Sequence, residues 1–439
     1  MVRPGESLEN AAVVVRAGRV IAVGTDLIKP DGAREITGEW ICAAFVDPWA
    51  AVAVAPDALA DGSTSAATRT VDGVDFNAEE QVRRDAVRAG VTCARIQAGA
   101  TSRVGGLGAV VRIAPEVPRA NAVLLRDSNV SMSVGLTANL AQQQGADQDE
   151  EGALAFAPSG PKMVDPFDRL MEVDRVLAAI EGGRNYLLSK TEYKHELEAW
   201  QKTIAEKEVE LEKDAKKSKK DREKEEKDAK EKGKEFKEKK YTEDKRPQAP
   251  RYDEDNEVLG RVANGDVSLI VQSHRAAELR GLLDGTAKYD RLRLIIAGGS
   301  ESLSFASQLS ERHIPVIVWP ALLGRGRSDE FDAADLSLAG RLANAGVRVL
   351  IGSGGTDAEA SRDLPLLAEL AVGHGLAREK AFDALTLGAA RSLDVADRIG
   401  TVEPGKDAEL LVLDGEPLTS AGRVRYVISA GRVVVEPKE

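Results

Sequence analysis

The sequence is short of aromatic side chains, of cysteine and of long apolar runs. Phe, Trp and Tyr make up 4% of its 439 residues, so a core has to be assembled from Val, Leu, Ile and Ala. The two cysteines, Cys42 and Cys93, stand in apolar strand-like runs with no Cys-x-x-Cys spacing. They are expected as buried free thiols rather than as a disulfide or a thiolate metal site. No stretch approaches the roughly 20 apolar residues that a membrane span requires, and no signal peptide is legible. An excess of positive charge is missing too: the formal net charge of -12 argues against general nucleic-acid binding.

What is present divides into three kinds of segment. The two ends read as β structure. Ala11 to Val15 and Val20 to Val23 flank the turn Ala17-Gly18-Arg19, and "VRYVISAGRVVV" near the other end repeats the scheme of apolar run, Ala-Gly-Arg and Val-rich run. Neither end has a core of its own, so the two are expected to share one sheet. Between them, short apolar runs recur: "GVTCARIQAG", "VSLIVQSH", "LRLIIAGG", "IPVIVWPAL" and "VRVLIGSGG". The intervening stretches 275–283, 303–312 and 333–345 read as helices. Continuous apolar strands alternating with helices predict a buried parallel sheet, and this many units predict a closed (β/α)8 barrel.

The third kind is a charged arm. From about Glu192 to Arg246 the composition turns to Lys, Glu and Asp, with Glu212–Lys216, Glu223–Lys227 and Glu226–Lys230 at the favourable i,i+4 spacing. Tyr193, Leu197, Trp200, Ile204 and Leu211 form a near-heptad stripe ahead of it. The expectation is a solvated helical arm, with a protein partner or self-association as its alternative use. Because the two signs of charge are interleaved, nucleic acid is not expected as its ligand.

Two terminal motifs then carry a family resemblance. "FDALTLGAARSLDVADRIGTVEPGKDAELLVLDGEPL" resembles the C-terminal return of the amidohydrolase superfamily, in its imidazolonepropionase-like branch, with Glu409 where that pattern has Asp. "VVVRAGRVIAVG" and "AFVDP" are similar to its N-terminal hairpin and first barrel strand, and "GVTCARIQAG" to its second. The resemblance implies a TIM-like barrel over 46–398 and a composite β-sandwich from 1–45 and 399–439. It leaves a charged helical insertion at 192–250. The first strand of that sandwich is missing ahead of "GESLENAAVVV", so a truncated start and a lost targeting signal are expected alternatives to a cytoplasmic protein.

In such enzymes a His-x-His pair, two further histidines and an aspartate hold the metal, which activates water. By the resemblance those places fall on Trp49, Ala51, Gln272, Gly298 and Gly354, with Asp357 reaching the last only if the alignment slips by three residues. The chain has four histidines in all, His195, His274, His313 and His374, and only His274 ends a strand. The expectation is therefore a vestigial site with no metal and no other cofactor.

The remaining chemistry is sparse. His274 with Asp47 or Asp357 is the candidate acid–base pair. The Gly-rich run from Arg103 to Ile113 lacks a Lys-Ser/Thr ending and is expected as a turn between strands rather than an anion cradle. Trp49 and Trp319 are candidates for lining a pocket, and Trp49 for plugging the space left by the metal, its indole N–H taken by Gln272 or Asp47. Three functions follow: a catalytically silent amidohydrolase homologue with a scaffold, binding or assembly role; a hydrolase of non-peptide C–N bonds, of cyclic amide type, through a rearranged site; or a small-molecule binder at the barrel mouth.

Overall fold

A computed structural model describes residues 1–53, 65–77, 80–97, 104–134, 166–216, 219–233, 245–320, 335–355 and 357–437. From the N-terminus run β1 (Ala12–Arg16), β2 (Arg19–Gly24), β3 (Trp40–Ala43) and β4 (Phe45–Ala50). After them come β5 (Val91–Ile96), β6 (Val104–Leu107), β7 (Ala109–Arg112), β8 (Val123–Leu125) and β9 (Val130–Ser133). Beyond the charged arm are β10 (Leu269–Ser273), β11 (Leu294–Gly298), β12 (Val316–Val318) and β13 (Val349–Ile351). The chain ends on β14 (Leu410–Leu413), β15 (Val424–Ser429) and β16 (Arg432–Val435).

Strands β9 to β13 are parallel neighbours in one six-stranded sheet, with β6 antiparallel at its edge; β4 and β5 are parallel in a second sheet that continues antiparallel through β7 and β8. Alternation along the strands separates two cores. Ile270, Ile295, Ala297, Ile317 and Leu350 form one cluster with Trp49 of β4, so the second sheet closes over the concave face of the first. Leu269, Val271, Leu294, Ile296, Val316, Val318, Val349 and Ile351 point the other way, into the outer core shared with the helices. A further cluster of Val46, Cys93, Val110 and Leu124 packs on Ala389, Ala390, Leu393, Val395 and Ile399.

The expected closed ladder is not formed among the described residues. At one seam β6 and β7 behave as one strand broken at Gly108: β6 pairs with β9, β7 with β5, and Gly108 exchanges backbone hydrogen bonds with Ser128 and Asn129. The Gly-rich run is thus two buried strands, not the expected turn; its Arg103 lies outside the described residues. Gly106 has φ +74° and a Cβ there would meet Thr68 O at 2.4 Å, which explains the glycine. At the other seam β4 and the segment after β13 are joined through the side chains of Asp47 and Ser353, and on its other side β4 shifts register against β5 between Asp47 and Ala50.

The two ends do come together. β3 pairs with β14, which continues to β15 and β16, and the β1–β2 hairpin is bonded to the C-terminal segment through Val20–Lys406, Val20–Gly405 and Gly18–Ala408. Val20, Ala43, Val402, Ala408 and Leu410 share a core. The twin Ala-Gly-Arg turns touch: a Cβ on Gly431 would stand 2.6 Å from Gly18 Cα, so the contact needs glycine on both sides.

Helix α1 (Glu80–Arg88) precedes β5, and a 51-residue helix, α2 (Pro166–Lys216), carries the arm. Its first half is a packing element: Val173, Val176 and Ile180 are buried, and Gly183 lies against α3 (Glu254–Ala263) at Leu259 and Gly260, closer than any side chain would permit. Past the Lys190–Glu257 ion pair the helix faces water, with Tyr193, Leu197, Trp200 and Ile204 half-buried and Leu211 exposed. Two of the expected i,i+4 pairs form, Glu212–Lys216 at 3.6 Å and Glu226–Lys230 at 3.4 Å. No described helix is long and apolar enough to cross a membrane.

Candidate functional site in the strand ends

The parallel strands deliver their C-terminal ends to one face, where catalytic groups of α/β folds collect. Asp47 is completely buried there. Its Oδ1 accepts the backbone N–H groups of Trp49 and Ser353, each at 3.1 Å, and its Oδ2 accepts the Ser361 hydroxyl at 2.8 Å; Ser353 Oγ donates in turn to Trp49 O at 3.2 Å. Asp47 therefore clamps the β4–β13 seam. Burial pushes its carboxyl above the usual range, against the pull of these hydrogen bonds.

Trp49 is 0% exposed and packs between the two sheets on Ile270, Ile295, Ala297, Ile317 and Leu350. The guanidinium of Arg95 lies over the indole, 4.9 Å from its ring centroid. The expected acceptor for the indole N–H is not there: Asp47 takes the backbone N–H instead, and Trp49 Nε1 has no hydrogen-bond partner among the described residues. Ala51 is buried just beyond it.

His274 follows β10. Its Nδ1 is 2.9 Å from Ser300 Oγ, and its ring meets Trp319 edge-on at 5.7 Å. Gly298, where the resemblance asks for a ligand, has φ +89° and yields its space to this imidazole: a Cβ would stand 2.4 Å from His274 Cε1. Gln272 is buried one turn of the pleat earlier on β10. Gly354 has φ +102° and faces the Trp319 ring. Asp357 is exposed and caps a short 3₁₀ turn through Glu359 N–H at 2.9 Å. Among the described residues, Asp47, Asp357 and His274 each hold different partners, and no hydrogen bond joins His274 to either aspartate.

All four histidines are described, and they are scattered. His195 lies on the exposed part of α2, His313 in the turn before β12 with φ +53°, and His374 at a helix C-terminus. Among the described residues no three His, Cys, Asp or Glu side chains gather as metal ligands. Among the described residues, the side chains do not fit the ion that the resemblance implies. The cysteines offer no substitute, being buried free thiols; burial pushes Cys42 up to about 12.

Two residues that the sequence reading passed over are central to the site. Arg95 and Gln97, on and just after β5, are fully buried in its interior beside Trp49. The signal was available: on alternating positions of "GVTCARIQAG", a charge and an amide share the face of Cys93.

Comparison with known proteins agrees with this geometry. Residues 330–434 match the family described as Amidohydrolase family. An amidohydrolase from Thermotoga maritima MSB8 superposes with a TM-score of 0.68 at 22% identity, over 97% of this chain and 95% of that one. Ochratoxinase of A. niger does so with a TM-score of 0.52 at 14% identity, over 99% and 94%. No curated protein sequence matches. The fold is the TIM-barrel-like α/β fold of these enzymes. The family match covers the C-terminal quarter of the chain, and over its whole length the likeness to these amidohydrolases is one of fold.

Proposed function

We propose that the chain is a catalytically silent amidohydrolase homologue of the imidazolonepropionase-like branch, with a binding or assembly role. In this reading, residues 1–45 and 399–439 form a composite β-sandwich, 46–398 the barrel, and 192–250 an arm available to a protein partner or a second copy. The carrying observation is the completely buried indole of Trp49, at the place of the first-strand ligands, packed on Ile270, Ile295, Ala297, Ile317 and Leu350. An indole in that space supports packing in place of an ion, with Gly298 given over to the His274 ring. The test is elemental analysis of purified protein, dialysed after exposure to zinc, manganese and iron. Well under one ion per chain is expected; about one tightly held ion per chain would defeat the reading.

Hydrolysis of C–N bonds fits the family equally well, and one contact favours it. The His274 Nδ1–Ser300 Oγ distance of 2.9 Å suits a base beside a nucleophilic hydroxyl. A panel of cyclic amides decides between the readings: turnover by the wild type that Ser300→Ala abolishes would establish the hydrolase.

A further inference from the structure

We propose that Arg95, Gln97 and Trp49 form a binding site for a small carboxylate in the interior between the two sheets. Buried hydrogen-bond donors of these residues have no acceptor among the described residues. Arg95 Nη1 donates to Gln97 Oε1 at 2.5 Å, and Nη2 to Asn129 O at 3.2 Å. That first bond fixes the amide: with its oxygen on the guanidinium, Gln97 presents its NH2 group on the other side. There Gln97 Nε2 and Trp49 Nε1 converge on Gly355, whose missing Cβ would lie 2.9 Å from one and 2.5 Å from the other. Gly355 has φ +74°, so glycine both makes this turn and leaves the two donors uncovered.

Neither donor has an acceptor among the described residues, and nor does Arg95 Nε. Buried polar groups are almost always paired, and leaving one unpaired costs its desolvation without return. Arg95 Nε faces Gly108, but the other two orphans, both donors, meet at Gly355 and ask for an acceptor that the described residues do not supply. A buried water would take two of the hydrogens. It would leave the charge of Arg95, which has no carboxylate partner among the described residues. Burial alone draws that guanidinium down to about 9, the mark of a cation taken from water without compensation. A carboxylate supplies two acceptor oxygens for Trp49 and Gln97 and a negative charge next to Arg95. No bond is made or broken. The inference is independent of whether the chain hydrolyses anything, because it uses none of His274, Ser300 or Asp47.

The test is thermal melting of the full chain in rising sodium formate or acetate, with ionic strength held constant by a bulky sulfonate buffer. A saturable rise in Tm is expected for the wild type. Trp49→Phe keeps the ring and removes the N–H, and is expected to weaken the apparent affinity by roughly tenfold, the worth of one buried hydrogen bond. Arg95→Met should abolish the response; if that variant does not fold, Gln97→Met takes its place, with a weakened response expected. A wild type with no saturable shift would mean that water satisfies the donors, and would overturn the proposal. Equal shifts in the wild type and these variants would overturn it as well. Metal content is read on separate samples, so failure here and failure of the silent-homologue reading are told apart.

Discussion

Two arginines on neighbouring strands are buried in opposite ways. Arg112 of β7, which pairs in register with Cys93 of β5, donates from Nε to Glu409 and from Nη2 to Asp407, both at 2.6 Å. Asp407 is shared with Arg398 at 2.7 Å, and Glu409 also accepts the Ala430 N–H at 2.7 Å. Burial pulls Arg112 down, but Glu409 and Asp407 hold it above its ordinary value. Two residues along β5, Arg95 has only neutral oxygens and an aromatic face. The first arginine ties the central strands to the terminal sheet; the second lies over Trp49 in the interior between the two sheets. A protein keeps a buried charge cheaply only where it also keeps the partner. An arginine buried without one marks either a ligand's place or a standing cost to stability.

The largest effect expected from breaking this contrast is at the paired end. Arg112→Ala leaves Glu409 and Asp407 buried against each other, and should cost roughly 3–5 kcal/mol in denaturant unfolding. A loss under about 1 kcal/mol would show that water reaches the cluster and that it does not hold the terminal sheet in place.

Next comes the packing that surrounds the unpaired arginine. Trp49→Ala removes an indole with completely buried neighbours and should cost about 3–5 kcal/mol, since the two sheets cannot collapse fully into the space. A near-neutral result would mean that the interior is an open pocket and would raise the small-molecule binder above the scaffold.

Asp47 sharpens the comparison from the acidic side. Its carboxyl is raised by burial from 3.8, so the native state binds its proton more tightly than the unfolded chain. The stability this group contributes is complete below pH 3.8 and is lost as pH rises through its folded value. Asp47→Asn removes that loss, so the variant should gain on the wild type as pH is raised from about 4 toward neutrality. Parallel stability curves over that range would mean that Asp47 is not the titrating group at the seam.

The comparison also explains what could be read in advance. The parallel strands were legible as continuous apolar runs, because Leu269, Ile270 and Val271 are buried whichever face they take. The meeting of the termini was legible in the repeated Ala-Gly-Arg turns. Seam geometry was not, since no local pattern announces that β4 slips register at Asp47 or that one strand divides at Gly108. Glu409 stood out only as a departure from a familiar pattern, yet it is the carboxylate that partners Arg112. Arg95 and Gln97 were hidden because β5 was read as an apolar run, and their importance lies in partners they lack rather than in any motif.

The smallest effect should come from the arm. Tyr186 and Lys190 of α2 both contact Glu257 of α3, so the helices run side by side at the base of the insertion and a short bridge can join them. Replacing residues 192–246 by a Gly-Ser linker removes side chains that are mostly solvent-exposed where described, and shortening a surface loop changes closure entropy little. The melting transition should stay within the shift expected for about 0.5 kcal/mol. A large drop would show that Tyr193, Leu197, Trp200 and Ile204 belong to the folded core. A preserved transition with a changed oligomeric state would instead assign that half-buried stripe to a second copy or a partner, and would give the arm the assembly role.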